Sequence, residues 1–418
     1  MRVAIVGSGV AGLAAAHALV GGIRAHEGAA GAVTVFEASP RLGGHVYTVD
    51  ADGLAIDMGF IVHNRERYPH FCALLDELGI ETRPATMSFS VVHGDLEWGS
   101  ESLSAIFADR RRLADPRHWR FLGSVIAFLR RARADLGTGL VAHASLDEYL
   151  DARRISPEIR ERFVVPLAAA LWSLAPDLCG AFPAETYFRF LDQHGMLRPL
   201  RPLAWRTIVG GSRRYVDALA GRLRADGVVL RTGSSVARID RDATGITVLA
   251  DRSEHRFDRI IIATHADTAL ALLAEPSEAE RTTLGAFRYS RNRTVLHCDR
   301  SFLPRSPAAH AAWNYVADPD TARVAVSYSM TRLQGLPDAP YLVTLNPRRE
   351  PRGIFHEVTF DHPQLDRAAL AAQASLPRIG GIARTYYAGA HFGFGFHEDG
   401  WRSGLAAAAR LLSDARAA

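Results

Sequence analysis

The sequence predicts an α/β protein in which a parallel, dinucleotide-binding sheet is interrupted by a mixed α+β unit. Three observations lead there. A β-rich run, Val3 to Val6, feeds into GSGVAG, Gly7 to Gly12, and then an alanine-rich helical pattern. A second strand pattern, Val33 to Phe36, ends on the acidic Glu37. Similar short strands return around residues 228–263 and 384–390, with other patterns between them.

Each part of the first unit has a physical reason. In GxGxxG the first glycine, Gly7, makes the tight turn, Gly9 lets backbone approach a pyrophosphate, and Gly12 lets helix and strand pack closely. Ala11 lies in the same turn, and the helix N-terminus faces the phosphates. Glu37 is placed to accept hydrogen bonds from the adenosine ribose, with Ala38 beside it. The intervening loop, residues 21–32, reads as a surface insertion.

Further along, five helical patterns are expected over Ser102–Leu113, His118–Leu136, Leu146–Arg153, Pro157–Trp172 and Thr186–Gly195, with Pro183, Pro199 and Pro202 punctuating their end. Strands are expected at Val228–Leu230, Ser235–Ile239, Ile246–Leu249 and Arg259–Ala263, and again at Thr294–Cys298, Val324–Tyr328 and Tyr341–Leu345. The expected organisation is a nucleotide-binding domain from 1–90, 205–285 and 376–418, and a substrate domain from 91–204 and 286–375.

The composition narrows the function classes. A chain of 418 residues is too long for one core. With 48% hydrophobic and 22% charged residues it reads as globular, and the apolar start reads as a retained strand rather than a signal peptide. Cys72, Cys179 and Cys298 form no CxxC, which argues against a disulfide framework or a cysteine metal site and fits a cytoplasmic setting. No His or acidic spacing suggests a metal. All 49 basic residues are Arg, so no Schiff-base lysine is available. A net charge of +4 does not suggest nucleic acid.

EASPRLGGH, Glu37 to His45, resembles the E-x(3)-R-x-G-G-R signature of the flavin amine oxidase and phytoene desaturase superfamily. Arg41, Gly43 and Gly44 match, which implies that they pass beside the FAD phosphates, and His45 stands where Arg is common. DMGF, Asp57 to Phe60, resembles the superfamily's D-x-G segment, which implies that Gly59 and Phe60 approach a flavin ring. The resemblance implies FAD, a Rossmann-type domain of the glutathione reductase kind and an inserted amine oxidase-like substrate domain. It also implies an adenine contact at Val236. Further segments, including MSFSV (Met87 to Val91), WNY (Trp313 to Tyr315), DHP (Asp361 to Pro363) and GFHEDG (Gly395 to Gly400), resemble a branch found beside cyclopropane-fatty-acid synthase-like methyltransferases. That branch implies a long-chain acyl substrate on phospholipid and such a methyltransferase as partner.

GAHFGFGFHEDGWRSG, Gly389 to Gly404, carries most of the remaining candidates. By the same resemblance Gly389 closes the last strand, and Gly400 and Trp401 present backbone N–H groups to the flavin. Relatives often place an acid after that glycine; here it is Ala390, leaving Glu398 or Asp399 as substitutes. Phe392, Phe394, Phe396 and Tyr315 are expected to wall an apolar substrate. His397, Glu398 and His63 are the expected acid/base residues, since removing hydrogen from a C–C bond sends a proton to a base. His194, His297, His391 and Tyr315 rank behind them.

Arg110 to Arg133 carries eight Arg and one Asp around an apolar, aromatic centre, a pattern of a helix that lies on an anionic membrane surface. Together these features point to an FAD-dependent oxidoreductase that desaturates a methylated or unsaturated acyl chain on phospholipid. Amine oxidation, carotenoid or terpenoid desaturation or isomerisation, and a non-catalytic flavoprotein partner are the alternatives.

Overall fold

A computed structural model describes residues 1–27, 32–94, 96–172, 176–198, 203–317, 324–337 and 340–417. Five strands make the central parallel sheet: β1 (Val3–Val6), β2 (Val33–Glu37), β3 (Val229–Thr232), β4 (Arg259–Ile262) and β5 (Thr385–Tyr387), in the order β3-β2-β1-β4-β5. The β1 and β4 residues are all buried, as strands covered on both faces require. The mixed α/β architecture expected from the sequence is therefore present.

Helix α1 (Val10–Glu27) follows β1 and packs against the last helix, α5 (His397–Ala417). Their approach is too close for a side chain: a Cβ on Gly404 would lie 2.1 Å from the Ala11 carbonyl oxygen. The expected surface insertion at 21–32 is corrected in part. Helix α1 runs on through Gly21 and Gly22 to Glu27, and 28–31 lie outside the described residues. The expected punctuation at Pro199 and Pro202 lies outside them as well.

The second large element is a seven-stranded sheet built from Phe89–His93, Leu96–Gly99, Arg288–His297, Trp313–Ala317, Val324–Ser329, Leu342–Leu345 and Ile354–Gln364. Its pairs are antiparallel except Trp313–Ala317 with Phe89–His93, which run parallel. Phe89–His93 straddles the expected boundary at 90 and belongs wholly to this sheet.

Helices cover that sheet, among them α3 (Pro116–Asp135) and α4 (Ala184–Gln193), and α2 (Pro69–Glu77) lies nearer the parallel sheet. In α3, Asp115 accepts from the Arg117 N–H, and Phe121, Val125, Phe128, Leu129 and Ala132 face the core at helical spacing. The single helix expected over Ser102–Leu113 is instead a short helix, Leu103–Ile106, and a 3₁₀ turn, Arg110–Ala114, because Ser102 and Asp109 each cap a separate start. Pro157–Trp172 is helical with a π turn at Arg160–Val164, just before Pro166, which has no N–H to offer. No described helix is long and apolar enough to cross a membrane.

Asp57 joins distant segments. It is fully buried and accepts from Thr48 Oγ1 at 2.5 Å, from the Ser212 N–H and hydroxyl at 2.9 Å each, and from Gln334 Nε2 at 3.1 Å. Burial nevertheless pushes its carboxyl up to about 6. The node sets the path of the next residues, Met58 to Phe60.

Candidate active site

The glycine turns and the loop after β2 make one wall from backbone. The Ser8 N–H and hydroxyl donate to Glu37 Oε2 at 2.9 and 2.7 Å, and the Ser39 N–H donates to Oε1 at 2.8 Å. The Gly43 N–H donates to the Ser8 carbonyl at 3.0 Å. Gly43 and Gly44 hold φ of +106° and +58°, and a Cβ on Gly44 would meet Gly9 Cα at 3.0 Å. On the other side of the turn, a Cβ on Gly12 would lie 1.9 Å from the Gly7 carbonyl oxygen. Arg41 donates to the carbonyls of Val46 at 2.9 Å and Gly44 at 2.8 Å, and lies 3.9 Å over the Tyr47 ring. It therefore clamps the loop rather than lining the cavity, a correction to its expected place beside the phosphates.

These turns open into a cavity of about 600 Å³. Gly7, Gly9, Ala11, Glu37, Ala38, Gly43, Gly44, His45 and Val236 line one half. Gly59, Phe60, Gly389, Ala390 and His397 lie along it, and Trp172, Phe190, Trp205, Trp313, Phe394 and Phe396 line the other half. No Arg or Lys is on the wall; its carboxylates are Glu37 and Asp361. The first half fits an FAD: glycine backbone where phosphates need close approach, an acid for the ribose, and an elongated space beyond.

The start of α5 departs from expectation. The helix begins at His397, and the Gly400 N–H is already spent on the Phe396 carbonyl at 3.1 Å. Trp401 is buried against His17. Neither Gly400 nor Trp401 reaches the cavity; His397 opens the helix at the wall instead.

The expected acid/base trio also separates. His397 alone lines the cavity. Its ring stacks on Phe60 at 3.8 Å, its Nε2 lies 2.8 Å from the Tyr215 hydroxyl, and burial drives its pKa well below the usual imidazole value. Glu398 accepts from the N–H groups of His70 at 3.1 Å and Phe71 at 3.0 Å, which caps α2. Asp399 accepts from the N–H groups of Phe394 at 2.9 Å and Phe396 at 3.2 Å, fixing the loop before α5. Both carboxylates are absent from the wall and spent on backbone, so neither is free for the roles expected of it. His63 is 1% exposed and turned away: on its strand Val62 faces the cavity, and the next residue points to the opposite face. Burial lowers its pKa to about 4.

Of the expected aromatic wall, Phe394 and Phe396 are in place, and Phe396 stacks on Phe190 at 4.6 Å. Phe392 packs instead with the core beneath the parallel sheet. Tyr315 is buried in the helix–sheet core, two residues along the strand from cavity-lining Trp313. Four further histidines, His194, His265, His362 and His391, line the cavity. Burial lowers His194 and His362 to about 4 and His45 and His391 to about 3. His265 was legible in part, since it follows β4, where parallel strands present residues to ligands. His362 had no comparable signal.

Residues 10–303 match the family described as flavin containing amine oxidoreductase. Two curated relatives, each named putative flavin-containing monoamine oxidase AofH and coming from two strains of Mycobacterium tuberculosis, are 30% identical over 282 residues, 62% of this chain. The match spans about half, 56%, of their own length. Among solved structures, cyclohexylamine oxidase from Brevibacterium oxydans IH-35A superposes with a TM-score of 0.72 at 18% identity, covering 99% of both chains. A CLA-producing fatty acid isomerase from P. acnes gives 0.69 at 16%, covering 98% of both. Wild-type putrescine oxidase bound to putrescine gives 0.68 at 16%, covering 99% of both. At these identities the likeness is one of fold.

Proposed function

The chain belongs to the flavin-containing amine oxidoreductase family, whose cofactor is FAD, and from that premise we propose that it is an FAD-dependent oxidoreductase acting on a long apolar chain, most simply by desaturating a fatty acyl group. The observation that carries this reading is the character of the wide half of the cavity. Trp172, Phe190, Trp313, Phe394 and Phe396 form it, and no Arg or Lys interrupts it. Asp361, the one carboxylate on the wall beyond Glu37, sits 3.9 Å from the exposed Arg291, beyond hydrogen-bond distance. A fatty acid isomerase shares the fold, so the architecture admits an acyl chain.

Bound FAD would supply a two-electron acceptor for hydride. The chain's own contribution is an apolar wall that excludes water. His397 and His194 both line the cavity, and burial holds both below the usual imidazole pKa, so at neutral pH both rings are uncharged and resist taking a proton.

Amine oxidation is the second reading, because the curated relatives are named as monoamine oxidases and an aromatic cavity without arginine also accepts an unprotonated amine. Anaerobic mixing separates the two. Monounsaturated or methyl-branched phospholipid in micelles is expected to bleach the flavin band, with primary amines and polyamines leaving it unchanged. Bleaching by amines alone would replace the first reading with the second.

We also propose that α3 rests on an anionic membrane surface. Trp119 is 53% exposed and Ile126 46%, two turns apart on one face. Arg117, Arg120, Arg130 and Arg131 are exposed beside them, without an ion pair among the described residues. Arg111 and Arg112, by contrast, are paired with Asp109. Helix α3 packs on α4, whose Phe190 lines the cavity, so a membrane contact there adjoins the substrate half.

A further inference from the structure

The aromatic half of the cavity has one polar corner. Tyr68 stands directly before α2, His194 directly after α4, and Trp205 opens the strand Trp205–Ile208. All three line the cavity, and they meet around one indole. The His194 ring lies parallel to Trp205 at 6.0 Å, and the Tyr68 ring meets Trp205 edge-on at 6.3 Å. Phe190 and Phe396 pack on His194 at 3.7 and 5.4 Å.

The Tyr68 hydroxyl, His194 Nε2 and Trp205 Nε1 have no hydrogen-bond partner among the described residues. None of them is shut off by protein, in contrast to Nε2 of His45 and Nε2 of His391, which are buried without a partner. Tyr68 is 5% exposed and its ring sits in the core with Phe71, so the surface its hydroxyl keeps is on the cavity. An unmatched polar group among aromatic rings costs about 1–3 kcal/mol. Apolar pockets use a few such groups to fix the orientation of a ligand.

The hydrogen-bonding sense of each group is fixed. Nδ1 of His194 lies 2.9 Å from the Phe190 carbonyl oxygen, which only accepts, so Nδ1 carries the proton and Nε2 a lone pair. Burial lowers the pKa of that ring to about 4, so it stays neutral. Trp205 Nε1 only donates. The Tyr68 hydroxyl does both, and burial keeps it protonated.

We propose that Tyr68, His194 and Trp205 bind a neutral group on the substrate that both donates and accepts a hydrogen bond, a hydroxyl or an unprotonated amine. The proposal rests on the reading of this half as the seat of an apolar chain, and it adds a polar mark that the chain carries. A carboxylate only accepts, so the His194 lone pair opposes it, and no Arg or Lys on the wall offsets its charge. An ammonium only donates, so the Trp205 N–H opposes it.

Titration of the FAD-loaded protein with 1-decanol, decyl methyl ether, decylamine and decanoate tests this, read by perturbation of the flavin spectrum. The ether keeps the chain and an acceptor but has no proton for His194. Wild type is expected to bind the alcohol about tenfold tighter than the ether, and decanoate no tighter than the ether. His194→Phe keeps a ring and removes the lone pair, so it should bring the alcohol down to the ether. His194→Gln, whose carbonyl still accepts, should keep the preference, and it is the reporter if the Phe variant does not fold. Decylamine tighter than decanol, and tighter still as rising pH removes its proton, would also support the corner and name the amine as its source. The proposal is overturned by alcohol and ether within about twofold of each other with decylamine no tighter. It is overturned equally by a preference that survives in His194→Phe, or by decanoate as the tightest ligand. Binding of none of these compounds would remove the apolar-chain reading and the proposal with it, a distinct result.

Discussion

The two halves of the cavity are made of different material. The dinucleotide half is backbone: glycine turns, a strand-end carboxylate and the loop that Arg41 clamps. The substrate half is side chain, with aromatic rings from a helix at Trp172, from α4 at Phe190, from a strand at Trp313 and from the loop at Phe394 and Phe396. Backbone walls tolerate almost no substitution, so they leave a motif at fixed spacing. Side-chain walls need only volume and polarity, and many residues at many spacings meet that need.

The largest effects should come from the backbone half, and two neighbouring glycines sharpen the contrast. Gly12→Ala drives a methyl to 1.9 Å from the Gly7 oxygen, which should cost about 3 kcal/mol or more and abolish soluble protein. A Cβ on Gly9 meets nothing within 4 Å, because that position faces the cavity. Gly9→Ala should therefore fold with a near-normal Tm and lose FAD affinity by about a hundredfold, the size of a few kcal/mol of lost phosphate approach. Equal melting losses in both variants would erase the distinction.

The substrate half should respond more gently. Phe396→Ala removes the ring stacked on Phe190 and should raise KM for a lipid substrate about tenfold, with FAD affinity unchanged. A fall in FAD affinity of the same size would show that the two halves are one. The smallest effect belongs to the surface. Arg120→Gln should weaken sedimentation with phosphatidylserine vesicles about fivefold, near 1 kcal/mol for one arginine. Identical sedimentation of variant and wild type, or no difference between anionic and neutral vesicles, would remove the membrane proposal.

The same contrast explains what was legible in the sequence. Val3–Val6, the glycine turn and Glu37 were readable because each rests on a geometric requirement with local spacing. The later strands of the parallel sheet, near 228–230 and 259–263, were readable as short apolar β-rich runs. The N–H groups expected to face the flavin at Gly400 and Trp401 were misplaced because α5 already begins at His397, and Glu398 beside it caps α2. Glu398 and His63 were plausible proton carriers by residue type alone. Which side of a strand His63 faces depends on its pairing with Trp205–Ile208, far along the chain. The ring of histidines around His265 was hidden for the same reason, since His45, His265, His362 and His391 come from four separate segments.

The contact of Gly404 with the Ala11 carbonyl has a consequence for how the protein is made. Helix α1 leaves the ribosome long before the helix it packs against. Strand β5, at the edge of the parallel sheet, comes nearly as late. Until both arrive the glycine turn is an open shelf with apolar residues on one side uncovered, exposed to aggregation. The first motif that can be read in the sequence is therefore among the last parts of the fold to be completed.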